Sequence, residues 1–380
     1  MGIEFGLFMG GFVHRDLMAA NPNAEHDRLM SEVRLAEVGD RHGWKYSWWT
    51  EHHFLAEYSH ISANEVVMPW VAARTERMHI ASGIINITPP VNHPVRVAER
   101  VAMLDHLSEG RFEFGSGRGS STTEQAGFGI EDPEETKAMY DEAIEQFVPM
   151  WRSTEYQYDG KYFSVPRRNV LPKPYSKPHP PMWVAAGNPG TFQKAGEMGL
   201  GVICFTGGTP EKMRPLVEMY KEAVASATPV GEYVNDNVAI TTSFLCLEDG
   251  DEAVELASRS GNGRQQTLVF RYLDTFPKPA WVPEWPNEIP DPTRDQILAG
   301  REVGASCIGT PAECAEVLEQ WKAIGVDQLI MGPSGSVYPH DVLEHTVALF
   351  GDEVIPRFDT DPEFSTDRYR TAAAHALGYA

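Results

Sequence analysis

The sequence predicts an α/β fold, and the number of its repeating units predicts a closed (β/α)8 barrel with insertions. Three observations carry this. Eight short apolar runs read as strands, at 3–9, 45–50, 78–88, 111–116, 181–186, 201–205, 238–247 and 327–331. Nearly all are separated by stretches with helical spacing, and that alternation implies a parallel sheet. The chain has 380 residues, 42% of them hydrophobic, which suits one large barrel and argues against disorder.

The first helix is expected over 24–42, where Leu29, Met30, Val33, Ala36 and Val38 fall near a helical period and Gly43 supplies the stop. A second follows at 64–75. Pro89-Pro90 ends the third strand, and Pro94 opens a helix over 94–107. Further helices are expected at 133–151, 189–198, 210–226, 251–260, 311–324 and 340–350. Residues 152–180, rich in Tyr, Pro and basic side chains, read as an excursion. The whole of 1–380 reads as a single domain, with a long loop insertion at about 261–300 and a polar tail at about 353–380. The insertion carries Phe270, Tyr272, Phe276, Trp281 and Trp285 without a clean period, and is expected to be a lid whose rings cover a pocket. Packing of those rings on the exterior or on a second subunit is the competing expectation. The tail is expected to wrap the surface or a partner subunit.

A net charge of −22 argues against nucleic acid and anionic membrane as partners. No run approaches the ~20 apolar residues of a membrane helix. The four cysteines, Cys204, Cys246, Cys307 and Cys314, form no C-x-x-C pair. Free thiols in a cytoplasmic protein are the simplest expectation. The histidines show no H-E-x-x-H spacing, so no metal is expected.

Chemistry concentrates where strands end, because the C-terminal strand ends of such barrels carry the active site. The run Tyr46-Ser47-Trp48-Trp49 closes on Glu51-His52-His53, a carboxylate beside two imidazoles able to move protons near neutral pH. A solvent-exposed polar strand end has the same composition. The fourth strand runs into Gly115-Ser116-Gly117-Arg118-Gly119, where glycines permit close backbone approach and arginine offers a fork of donors to a phosphate. The spacing is not G-x-G-x-x-G, and it follows the fourth strand, which argues against a dinucleotide fingerprint. The fifth strand reaches Gly187-Asn188-Pro189-Gly190-Thr191, a helix start whose free N–H groups favour an anion and whose Asn188 and Thr191 add donors. Asn188 is equally a plain N-cap. The third strand ends in Ile85-Asn86-Ile87-Thr88, which is either a surface for the flat face and polar edge of an aromatic cofactor or a core strand that ends in a proline turn.

Together with Leu104-Asp105-His106-Leu107-Ser108-Glu109-Gly110-Arg111-Phe112, these motifs resemble the bacterial luciferase-like flavin monooxygenases, in order from Ile3 to about Leu200 and again around Gly309-Thr310-Pro311. The resemblance implies a luciferase-like barrel that takes reduced FMN as co-substrate from a separate flavin reductase. Molecular oxygen and reduced FMN would form a flavin hydroperoxide that inserts one oxygen atom into a small organic molecule. His52 matches the family's catalytic histidine, and His53 its neighbour. Arg118, Asn188 and Thr191 match positions near the FMN phosphate. Ile85–Asn86 falls where the family often has a cis non-prolyl peptide under the flavin. Gly117 stands where light-emitting members have a reactive cysteine, which argues against light emission and a long-chain aldehyde substrate. A homodimer is expected. The same fold also hosts deazaflavin-dependent oxidoreductases and non-catalytic flavin-binding barrels.

Overall fold

The computed structural model describes residues 2–205, 208–276, 278–333 and 338–379. Its strands are β1 (Glu4–Met9), β2 (Tyr46–Trp49), β3 (His79–Ser82), β4 (Ile85–Asn86), β5 (Phe112–Gly117), β6 (Tyr156–Asp159), β7 (Ser164–Arg168), β8 (Met182–Ala185), β9 (Gly201–Cys204), β10 (Val238–Cys246), β11 (Ser306–Gly309) and β12 (Gln328–Pro333). The eight expected strands become β1, β2, β3, β5, β8, β9, β10 and β12. They pair in parallel in that order, and β12 pairs with β1 to close the barrel. β4 adds to the end of β5, and β11 adds to the long β10.

Strand alternation splits the side chains into two cores. Phe5, Leu7, Trp49, Ile80 and Phe114 join the large core under the helices. Tyr46, Trp48, Ala81, Trp183, Ile203, Ala239 and Ile330 form a second cluster that fills the barrel. Trp48 and Trp183 meet edge to face at 5.2 Å. Their indole N–H groups donate to Gln328 Oε1 (2.6 Å) and Glu113 Oε2 (2.7 Å), so the barrel interior is polar toward its N-terminal end.

Three expectations about the connections need correction. The helix expected over 133–151 is two, Glu135–Ile144 and Phe147–Arg152, with Pro149 in the first turn of the second. The insertion is not a long loop, because it contains helices Asn262–Tyr272 and Arg294–Glu302, with Pro277 outside the described residues. The first of these helices buries only a narrow face, so its sequence shows no broad apolar stripe; the second is opened by a Thr293/Gln296 capping box. The tail does not merely wrap the outside. Helix Ser365–Ala376 sits across the N-terminal end of the barrel, with Ser365 bonded to Glu4 (2.9 and 2.7 Å) and Thr366 to Glu113 (2.7 Å). The excursion at 152–180 holds the antiparallel hairpin β6–β7.

Candidate active site

The expected site residues lie at the C-terminal ends of neighbouring strands. Glu51, His52 and His53 follow β2, Asn86 ends β4, Arg118 follows β5, and Asn188 and Thr191 follow β8. Parallel pairing of these strands brings the segments to one rim of the barrel.

A buried carboxylate, Glu124, holds the two histidines together. It sits in the short helix Thr122–Gly127 after β5, and its Oε1 accepts the backbone N–H of His53 at 2.7 Å. The same oxygen lies 3.2 Å from His52 Nδ1. A carboxylate oxygen that already accepts one N–H makes Nδ1 the protonated nitrogen of His52. Nε2 of His52 has no hydrogen-bond partner among the described residues. The partly buried Tyr58 ring stands edge-on to the imidazole at 5.2 Å.

His53 is built differently. Its Nε2 is 3.1 Å from Glu51 Oε1, which also accepts from Asn92 Nδ2 at 3.0 Å. Burial pulls the imidazole pKa down, but Glu51, with Glu124 and Glu65 behind it, outweighs this and holds the pKa above the ordinary value. Burial pushes the Glu51 carboxyl up, offset in part by His53. Glu51, His53 and Asn92 therefore form a closed network. Asn92 extends it to the Asn86 carbonyl at 2.9 Å.

On the other side of β5, Arg118 is half-buried. It donates to Thr136 Oγ1 at 2.8 Å and meets no carboxylate within ion-pair distance among the described residues. Burial lowers its pKa from the usual guanidinium value, opposed by Glu134 and Asp141. At the end of β8, Asn188 caps the exposed start of helix Pro189–Glu197, with Oδ1 accepting from Thr191 N (3.1 Å) and Oγ1 (3.2 Å). Lys194 pairs with Asp141 at 2.6 Å and ties this helix to the one that carries Thr136. A half-buried cation beside a helix N-terminus is the composition of a phosphate site.

Between these two clusters Phe8, Ile84 and Phe205 cap the barrel core and are only partly covered. Phe8 and Phe205 are 5.7 Å apart. Two expectations change here. The cis non-prolyl bond is Gly83–Ile84, not Ile85–Asn86. Ile85 is buried in the outer core, so Ile84 rather than Ile85 faces the mouth. Alternation along the chain explains the exchange, since neighbouring residues face opposite sides. Asn86 does reach the rim, but its Oδ1 is taken by Thr88 N (3.0 Å) and Oγ1 (2.7 Å). A Cβ on Gly119 would lie 2.9 Å from Asn86 Nδ2, and Gly119 has φ +75°, so both space and backbone require glycine there.

The aromatic insertion approaches this region without placing its tryptophans over it. Leu268 and Tyr272 pack on Phe12, Leu55 and Tyr58 from the loops after β1 and β2. Trp281 lies against Phe270 (5.8 Å), Trp285 lies against Arg271 (3.9 Å) and Arg264 (5.2 Å), and the two rings are 65% and 41% exposed. The two tryptophans thus pack on the insertion's own side chains, whereas Tyr272 packs against Tyr58 (6.3 Å), the neighbour of His52.

Sequence reasoning missed Glu124, Phe8 and Phe205, and took Ile84 and Asn92 only as parts of the longer motif Ser82–Pro94, without a role of their own. Glu124 had a local signal in Ser121-x-x-Glu124, a capping-box spacing, but its carboxylate turns to the β2 loop instead.

The chain matches the luciferase-like monooxygenase family over residues 3–328, and it belongs to that family. It is 24% identical over 364 residues to limonene 1,2-monooxygenase of Rhodococcus erythropolis, covering 94% of this chain and 87% of that one. It is 33% identical over 240 residues to an F420-dependent glucose-6-phosphate dehydrogenase of Amycolatopsis mediterranei, covering 60% of this chain and 68% of that one. Its fold is similar to the oxygenating constituent of 3,6-diketocamphane monooxygenase from Pseudomonas putida, a structure in complex with FMN. The TM-score is 0.75 at 19% identity, covering 94% of this chain and 99% of that one. The family thus includes both monooxygenases and F420-dependent oxidoreductases. Among the described residues, no helix is long and apolar enough to cross a membrane.

Proposed function

We propose that this chain is an FMN-dependent monooxygenase that uses reduced FMN and molecular oxygen to oxygenate a small organic substrate. In this reading a separate reductase supplies the reduced flavin, and the enzyme acts as a cytoplasmic homodimer. The observation that carries it is the half-buried Arg118, without an ion pair among the described residues, at the end of a strand that pairs with the one leading into a free helix start and is separated by β3 from the paired-histidine cluster. Monooxygenases among its relatives, one of them solved with FMN, support the choice of cofactor.

The residues fit the group. Arg118 and Thr191, with the Gly190 N–H at the second helical position, would hold the phosphate. Phe8, Ile84 and Phe205 would give the flavin ring an apolar floor. When bound, reduced FMN supplies the electrons that activate oxygen, a task no protein side chain performs. The chain's own contribution is positional and protonic. Glu124 fixes the proton of His52 on Nδ1, which leaves Nε2 to accept and return a proton at the reacting centre. Glu51 favours the protonated form of His53, and a positive charge there would suit developing negative charge. Phe8 and Phe205 at the mouth would help exclude water.

The test is paired titration with FMN and with deazaflavin F420, followed by oxygen uptake on a panel of terpenoid, ketone and aromatic substrates. Tighter FMN binding with substrate-dependent oxygen uptake not matched by hydrogen peroxide supports the reading. Preference for F420 without oxygen uptake assigns hydride transfer instead. Flavin binding without either reaction assigns a non-catalytic barrel.

A further inference from the structure

At the barrel end opposite the candidate active site, His79 is buried at the start of β3 between two carboxylates. Its Nδ1 lies 2.7 Å from Glu113 Oε1 on β5, and its Nε2 lies 3.5 Å from Asp367 Oδ2 on the C-terminal helix Ser365–Ala376. The Phe364 ring, just before that helix, stacks flat on the imidazole at 3.9 Å and 8°. One side chain thus joins the tail to the barrel wall. Glu113 is already an acceptor at both oxygens, from Thr366 Oγ1 at 2.7 Å and Trp183 Nε1 at 2.7 Å. A ring nitrogen that faces a carboxylate oxygen needs its own hydrogen to bond it, and only the imidazolium carries two.

We propose that the C-terminal helix is a proton-dependent plug of the barrel's N-terminal end, latched while His79 is imidazolium and loosened when the ring becomes neutral. Neutral His79 has one N–H and can satisfy only one of Glu113 and Asp367. The other carboxylate then faces a lone pair at close range.

The surroundings name the groups that could interfere. Glu4 on β1, Lys45 and Tyr46 around β2, and Asp359 and Arg370 from the tail complete the cluster. Lys45 bridges Glu4 (2.8 Å) and Asp359 (2.9 Å), Tyr46 donates to Glu4 at 2.8 Å, and Arg370 pairs with Asp367 at 2.6 Å. Burial drives the Tyr46 hydroxyl far above its usual range, which keeps it neutral. Burial disfavours the charged form of His79, but Asp367 and Glu113 outweigh it and raise its pKa above the ordinary imidazole value. The Asp367 carboxyl is lowered in return, against its own burial. The signs follow from linkage. A raised folded pKa gives stabilisation that is complete below the unfolded value near ~6.5 and is lost as pH rises through the folded value. Depression at Asp367 gives stabilisation present above the unfolded carboxyl value and lost in acid as pH falls through the folded one.

The experiment is backbone hydrogen exchange across 366–376 in the full chain, from about pH 6 to about pH 9, with each rate divided by its intrinsic rate to give an opening constant. In the wild type the opening constant should rise roughly ten- to hundredfold across this range, the scale of one lost charge-assisted bond. In His79→Gln it should be high and independent of pH. Asp367→Asn, on the helix side of the contact, should also remove the rise and serves if the buried variant does not fold. A flat profile in the wild type, or a rise that survives in either variant, overturns the proposal. None of these readouts uses flavin or turnover, so their outcome is separate from that of the proposed function.

Discussion

At the scale of single residues, the account divides labour between two imidazoles three bonds of backbone apart. His52 keeps an Nε2 with no partner among the described residues, whereas Nε2 of His53 is held by Glu51 and the Phe128 ring lies 4.8 Å from its imidazole. His52→Ala should therefore leave FMN affinity near its wild-type value and lower product formation by roughly a hundredfold or more, the range of a lost acid–base group. Single-turnover product yields beside an FMN titration check this, and equal turnover would move the role to His53. Arg118→Ala should weaken FMN by about 1.5–3 kcal/mol, as for a lost hydrogen bond to a charged group, and riboflavin much less. The two ligands differ only by the phosphate, so fluorescence titration with both isolates that contact; equal losses would place Arg118 elsewhere. Much of this site was legible in the sequence because its residues follow strands whose apolar runs end sharply. What was not legible depends on a partner far along the chain. Glu124 reads as a helix cap until β2 and β5 are placed close together, and Ile84 and Ile85 exchange roles by a single step of strand alternation.

At the scale of elements, helix Asn262–Tyr272 anchors the insertion to the loops after β1 and β2. Arg264, only 5% exposed, binds both carboxylate oxygens of Glu57, with Nε to Oε2 at 3.2 Å, and also Glu288. Asp274 accepts from Thr122 N at 2.8 Å, and Thr275 N donates to Ser120 O at 3.3 Å, which docks the helix end on the loop that leads to Glu124. Arg264→Ala should leave Glu57 buried without its partner and cost about 3–5 kcal/mol. A urea midpoint shift measures it, and a change within error would mean that Glu57 relaxes to solvent. The same anchoring changes the expectation for protease. Cleavage in free protein should fall around the exposed Trp281 and Trp285 and spare 262–275, and ligand should alter it little. Strong protection by FMN would restore the lid. This helix escaped the sequence reading because buried polar residues, Arg264 and Thr267, hold part of its packed face in place of an apolar stripe.

At the scale of the whole molecule, a barrel of eight parallel strands separates two clusters of titratable side chains to its two ends. The C-terminal rim gathers the histidines, Arg118 and the helix start. The N-terminal end is filled by Glu4, Glu113, His79 and the tail. Removing residues from Phe364 onward should expose the Glu4–Glu113 end to water and lower the melting temperature, while FMN affinity persists; loss of both together would show that the ends are coupled. The barrel itself was readable because strand and helix periods alternate cleanly across eight units. The plug was not, since helix Ser365–Ala376 is mostly polar or small and finds its partners only after the barrel exists. The central claim is that the C-terminal rim binds reduced FMN and governs its reaction with oxygen. The most direct measurement mixes an anaerobic solution of the protein and reduced FMN with oxygenated buffer and follows flavin absorbance. The account predicts a distinct long-lived phase before oxidised FMN appears, shortened in His52→Ala and absent when Arg118→Ala has emptied the site. Appearance of oxidised FMN at the single rate of free reduced flavin, at saturating protein, would contradict it.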